Sequence, residues 1–222
     1  MTREELLKVA KPILLSTPMV QAILDGRKSV TRRAIKLDLG LADTDKLDNS
    51  YLKIPDEYGD YHDAADLCRH QVGDYLYVRE TFCEVPYEHE HILLEDGYIT
   101  VPKIAYRADS EIDYTGIWKP SIHMRKELAR IFLKVTDVRV ERLQDITSEQ
   151  AKNEGVDLSS GTPFPKSTAR DCHGAKNGLS MYQSKFVILW DSTIKKQDLD
   201  KYSWEANPWV WVIEFERVKI NG

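Results

Sequence analysis

Cysteine is scarce in this chain: Cys68, Cys83 and Cys172 are the only three in 222 residues. They are too few and too scattered for a disulfide framework. No apolar run approaches the roughly 20 residues that a bilayer-spanning helix needs. The opening MTREELLKVAK mixes charges of both signs and lacks the apolar centre of a signal peptide. These absences lead to the expectation of a soluble, reduced, cytoplasmic protein without a membrane partner. Positive charge is not in excess either, with 31 Lys and Arg against 36 Asp and Glu, a formal net charge of -5. That balance argues against coating nucleic acid by bulk charge, although a local basic patch stays open. A Gly-rich phosphate loop is missing. So are an internal repeat, a low-complexity tract and the regular βαβ alternation of a Rossmann fold.

What is present is enough apolar material for a core, at 42% of residues. Ile13 to Leu15 read as a short buried strand. Thr17 then reads as an N-cap, with Pro18 at the first helical position. Met19, Val20, Ile23 and Leu24 form a helical stripe, and Gly26 fits the cap that ends it. RKSVTRRAI reads as a strand, and so do GDYLYVRETF and KIAYRAD. ARIFLKVTDVRVERL is the clearest strand, with a phase slip near Thr136 and Asp137 that suggests a bulge. Thr147 with Gln150 fits a capping box, and Gly155 fits the end of a helix of about two turns. SMYQSKFVILWDSTI reads as an amphipathic helix. In NPWVWVIEFERV, the residues Trp209, Trp211, Ile213 and Phe215 share one strand face and are expected in the core, with Val210, Val212 and Glu214 opposite. Strands joined by short helices and long loops predict an α+β domain around a curved or closed sheet. The stretch from Lys36 to about Val72 reads as an insertion with little regular structure, or with one small helix around Ala64 to Arg69.

The most unusual segment is ILDGRKSVTRR, which sets Arg27, Lys28, Arg32 and Arg33 around Ser29 and Thr31. On pattern alone it reads as a solvated basic strand edge. Its Gly–x–Lys–x–x–Thr–x–Arg arrangement, however, resembles the signature of the ASCH family, small domains with a PUA-like β-barrel. GDYLYVRETF, VTDVRVERLQDIT with SEQAKNEGV, and WVIEFERV resemble later pieces of that family, in its order. The LLSTPMVQAILDGRKSVTRR opening and NPWVWVIEF ending resemble long members typical of phages and prophages.

The resemblance implies one PUA-like (ASCH) β-barrel domain over 11–220 with short flanking helices. Loop insertions are then expected at about 37–72, 85–103 and 157–180, and residues 1–10 form an N-terminal extension. It further implies kinship with small amidohydrolases that remove the acetyl group from N4-acetylcytidine. Those use a Lys and a Thr three residues apart and a Glu at the end of the short helix, which here are Lys28, Thr31 and Glu154. Arg32 departs from the family's apolar residue at its position. The leading expectation is a metal-independent, cofactor-free hydrolase of an amide on an acylated cytosine nucleoside or a related small amide. Its alternative is a non-catalytic module binding RNA or modified bases, and a third reading is ribonuclease-like activity. Arg27, Arg33, Arg79 and His123 are the candidate substrate contacts.

Local chemistry constrains this reading. Residues three apart in a regular strand point to opposite faces, so Lys28 meets Thr31 only if Lys28 precedes the strand. Thr31 Oγ needs a base, and Lys28 serves only when partly neutral, through burial or neighbouring positive charge. Glu154 would pass protons or orient Lys28. Cys68 with His70, His89 with His91, and Cys172 with His173 fit no zinc spacing and read as exposed loop residues. The carboxylates from Asp43 to Asp48 read as a solvated turn. Arg79 and Glu80 alternate on their strand, and Arg79 is the better candidate for an anion. The stretch from Asp157 to Gly178 reads as a basic flap or a disordered insertion.

Overall fold

The chain is described from a computed structural model over residues 1–36, 53–55, 61–84, 91–94, 97–100, 103–109, 117–158 and 178–220. In chain order the elements are α1 (Arg3–Val9), β1 (Lys11–Leu14), α2 (Thr17–Leu24), β2 (Val30–Ala34), β3 (Lys53–Pro55), β4 (Tyr61–Asp63), β5 (Tyr75–Arg79) and β6 (Phe82–Glu84). Then follow β7 (His91–Leu94), β8 (Gly97–Thr100), β9 (Ile104–Tyr106), β10 (Phe132–Arg142), α3 (Ser148–Asn153), α4 (Met181–Thr193), α5 (Leu199–Tyr202) and β11 (Trp209–Arg217). The fold is mixed α/β, with a five-stranded mixed sheet in the order β1-β5-β10-β11-β2. That order has two ends, β1 and β2, whereas the resemblance implied a closed barrel. Among the described residues no helix is long and apolar enough to cross a membrane.

The residues group into two compact units. The first comprises Met1–Asp25, Asp74–Lys134 and Glu216–Gly222. Here β1 runs parallel to β5, with Ile13 opposite Val78, and β5 pairs antiparallel with the start of β10, Phe132 opposite Tyr77. Leu6, Ala10, Tyr77, Phe82, Met124, Ala129 and Phe132 form its apolar core. Leu6 reaches that core because α1 is a true helix, closed by a capping box between Thr2 and Glu5. The segment read as an N-terminal extension is therefore a structured part of this unit.

The second unit comprises Gly26–Gly73 and Val135–Phe215. β2 pairs antiparallel with β11, placing Thr31 opposite Ile213 and Arg32 opposite Val212. One face of this pair packs Val30, Val210 and Val212 against Leu143, Ile146, Ala151, Phe186, Trp190 and Trp204. The other face packs Trp209 with Ile35 and Ala64. β11 is thus buried on both sides, and Val210 and Val212, expected opposite the core, are fully buried. Trp211 is only half-buried, with its indole N–H donating to Ala64 O at 2.7 Å. A strand in the middle of a sheet with both faces covered loses the apolar–polar alternation of a one-sided strand.

Two further expectations shift. Of the two alternatives for Ala64 to Arg69, irregular structure or a small helix, the structure has a run of turns and bends. The Gln71 side-chain amide there donates to Ala65 O, Asp66 O and Cys68 O, taking carbonyls that a helix would use for itself. Cys68 and His70, read as exposed, are buried. Within the expected insertions, β3 pairs antiparallel with β4 and β7 with β8. Residues 37–52 and 159–177, which hold the Asp43 to Asp48 turn, Cys172, His173 and nearly all of the expected flap, lie outside the described residues, and so does His89.

Candidate active site

Four charged side chains in the second unit meet where β2 begins, and three of them are buried. α2 ends at Asp25, and Gly26, at φ +72°, turns the chain toward Lys28. Lys28 precedes β2, as its proposed role requires. α3 opens at Thr147 with the expected capping box to Gln150 and closes at Glu154, where Gly155 at φ +87° turns the chain. The two turned segments lie side by side. Lys28 and Glu154 form an antiparallel bridge, and Ser29 N donates to Asn153 O at 3.0 Å.

The Lys28 ammonium has three hydrogens and three acceptors: Val30 O at 2.7 Å, Glu154 O at 2.9 Å and Glu154 Oε2 at 2.8 Å. Its side chain is 1% exposed and that of Glu154 is 5% exposed. Burial pushes the Lys28 ammonium below its ordinary value near 10.5. The Glu154 carboxylate opposes that shift, and Arg33 and Arg32 add to it.

Arg32 completes the cluster. Its side chain is fully buried; Nη1 donates to Glu154 Oε1 at 3.1 Å and Nη2 to Glu141 Oε2 at 3.2 Å. Arg32 Nε is buried without an acceptor among the described residues. Glu141 Oε1 in turn accepts from Arg139 Nε at 2.6 Å, and Arg139 Nη1 reaches Asp137 and Glu214 at 2.6 Å each. Among the described residues this is one continuous chain of charge, from Lys28 through Glu154, Arg32 and Glu141 to Arg139. From the sequence, Arg32 is a departure from the family pattern and a neighbouring positive charge for Lys28, but not a partner of Glu154, and Glu141 and Arg139 were missed. Their signal was Asp137, Arg139 and Glu141, charged at alternate positions on one face of a long strand.

The remaining expected residues are placed as follows. Thr31 is buried, but alternation along β2 puts it on the face opposite Arg32, and its hydroxyl is not among the acceptors of Lys28. Arg33 shares the Thr31 face and is exposed. Arg27 donates to Gly155 O at 3.1 Å and lines a cavity of about 540 Å³ with Gly26, Lys152, Asn153, Asp157 and Tyr182. Arg79 and His123 belong to the first unit. Arg79 Nη2 donates to Ile122 O, and His123 is exposed.

The first unit has a buried ion pair of its own. Glu80, 1% exposed, is held by Arg130 through Nε to Oε1 at 2.9 Å and Nη2 to Oε2 at 2.8 Å. Arg130 also pairs with Asp109 and lies 4.0 Å over the Tyr106 ring. Burial pushes the Glu80 carboxyl up, and Arg130 holds it down. With both carboxylate oxygens engaged by a forked donor, this pair braces the residue just after β5 against the segment that leads into β10.

No protein-family model, curated protein or solved structure matches the chain.

Proposed function

We propose that the chain is a metal-independent amidohydrolase of the PUA-like ASCH type. Its substrate class is an acylated cytosine nucleoside or a related small amide. The observation that carries this reading is the buried Lys28–Glu154 pair, a lysine shifted toward its neutral form and held 2.8 Å from a carboxylate. Burying such a pair is costly, and removing either partner leaves an uncompensated charge, so a pair of this kind invites a chemical role. The cavity lined by Arg27 and Asn153, the chain neighbours of Lys28 and Glu154, is our reading of where substrate binds.

In the proposed reaction, neutral Lys28 takes the proton of the attacking oxygen as that oxygen bonds to the amide carbon. The C–N bond then breaks, and the amine leaves with a proton returned from Lys28 or Glu154. With Thr31 as the attacking group, an acyl ester forms and water hydrolyses it. Lys28 must then exchange its Val30 contact for the Thr31 hydroxyl. With water as the attacking group, the water must likewise take the place of one of the three acceptors of Lys28.

The test is a turnover screen of acylated nucleosides with wild type, Lys28→Arg and Thr31→Ala. Wild type is expected to release the acid and the free amine without added metal. Lys28→Arg is expected to lose that activity, because a guanidinium cannot act as a base near neutral pH. Thr31→Ala distinguishes the two attacking groups: loss of turnover assigns the hydroxyl, and retention assigns water. Salt-dependent binding of oligonucleotides without turnover in wild type would replace the hydrolase reading with the RNA-binding one.

A further inference from the structure

The Glu154 carboxylate is divided between two cations. Oε2 faces Lys28 at 2.8 Å, and Oε1 faces Arg32 at 3.1 Å. The second cation is held from behind by Glu141, whose other oxygen is held by Arg139. We infer that Arg32 and Glu141 are positioning residues for the Lys28–Glu154 pair. Arg32 fixes the carboxylate plane and shares its charge, and Glu141 fixes Arg32 and limits how much positive charge Lys28 meets.

A carboxylate with a single buried cation would neutralise it fully and hold its proton tightly. A carboxylate shared between two cations neutralises each only in part. The charged groups that act on Lys28 are Glu154 at the end of α3 and Arg33 and Arg32 on β2. Glu141 and Arg139 of β10 and Glu214 of β11 lie one and two contacts further on. Removing Arg32 therefore returns the whole Glu154 charge to Lys28. Removing the Glu141 charge acts in the opposite direction, because Arg32 then draws more on Glu154. A residue serving only to fill space would not produce opposite signs at these two positions.

The inference rests on the proposed function only for its relevance to turnover; its test is independent of any substrate. The 13Cε shift of Lys28 is followed against pH in protein labelled at lysine, with the signal assigned by its loss in Lys28→Met. The expected result is a titration midpoint raised by about one pH unit in Arg32→Met and lowered by up to about one in Glu141→Gln. Glu141 is one-fifth exposed, so its glutamine variant keeps the question decidable if Arg32→Met does not fold. A folded Glu141→Gln protein with an unmoved or raised midpoint overturns the inference. So does a folded Arg32→Met protein with an unmoved or lowered one. Absence of wild-type turnover on acylated nucleosides would defeat the hydrolase reading and leave these midpoints standing.

Discussion

Lys28 is an expensive residue to fold. In the unfolded chain it titrates near its ordinary 10.5, and in the folded chain burial moves that titration down. Between the two values the unfolded state binds more protons, so stability climbs as pH rises through that window. Below the folded value the penalty is fully present and no longer changes with pH. The stability of wild type measured relative to Lys28→Met should therefore increase through that window and level off near 10.5. Its slope should reach at most about 1.4 kcal/mol per pH unit. Urea midpoints of the two proteins over a pH series check this, and a difference that is flat or falls with pH contradicts it. That Lys28 and Glu154 meet was expected from the resemblance to the ASCH family. That Arg32 joins them was not, because a buried arginine reads as a surface charge until its two carboxylates are known.

At the scale of elements, the caps of α3 were the most legible features, whereas α2 is capped at Ser16 rather than Thr17 and without a side-chain hydrogen bond. The Thr147–Gln150 box and the turn at Gly155 are local, and both are found where the sequence puts them. α3 has only six residues, so its caps are a large share of what holds it. Thr147→Ala should cost about 0.5–2 kcal/mol in a thermal or urea melt, by freeing the Gln150 N–H. It should also loosen Glu154 at the far end of the same helix, which slower turnover at unchanged substrate affinity would register. A wild-type melt for this variant would mean that the cap contributes nothing to the helix. The strand faces were less legible. Alternation in β11 gave the right partition of residues, but one buried face was expected and there are two, because burial of the second face is decided by α3, α4 and Trp204. The run of turns after Asp63 escaped for a similar reason, since it depends on one glutamine amide reaching three carbonyls.

At the scale of the molecule, each compact unit is built from separated stretches of chain, three for the first and two for the second. The first unit includes the last stretch: Val218 donates its N–H to Phe132 O at 2.9 Å, and Val218 and Ile220 pack against the core around Leu6 and Phe132. A chain truncated after Phe215 should lose at least about 1 kcal/mol of stability, from the apolar surface left uncovered. A melt equal to that of the full chain would show that the closing stretch adds nothing to that core. This interleaving was not legible, because composition and periodicity report neighbours in sequence, whereas the two units are defined by contacts between distant stretches.

The bridge between Lys28 and Glu154 has a consequence in time. The two residues are separated by 126 positions. At ordinary rates of protein synthesis, roughly 6 to 25 s pass between the making of one and the making of the other. During that interval Lys28 has no Glu154 to meet, so the β2 segment cannot be buried in its final form without leaving the Lys28 charge uncompensated. The nascent chain has to keep this segment in water until α3 has been made. Closing the charge cluster is then a late event of folding, and a pause in translation ahead of α3 would lengthen the exposure of a strand whose native partner in the sheet, β11, has not yet been synthesised.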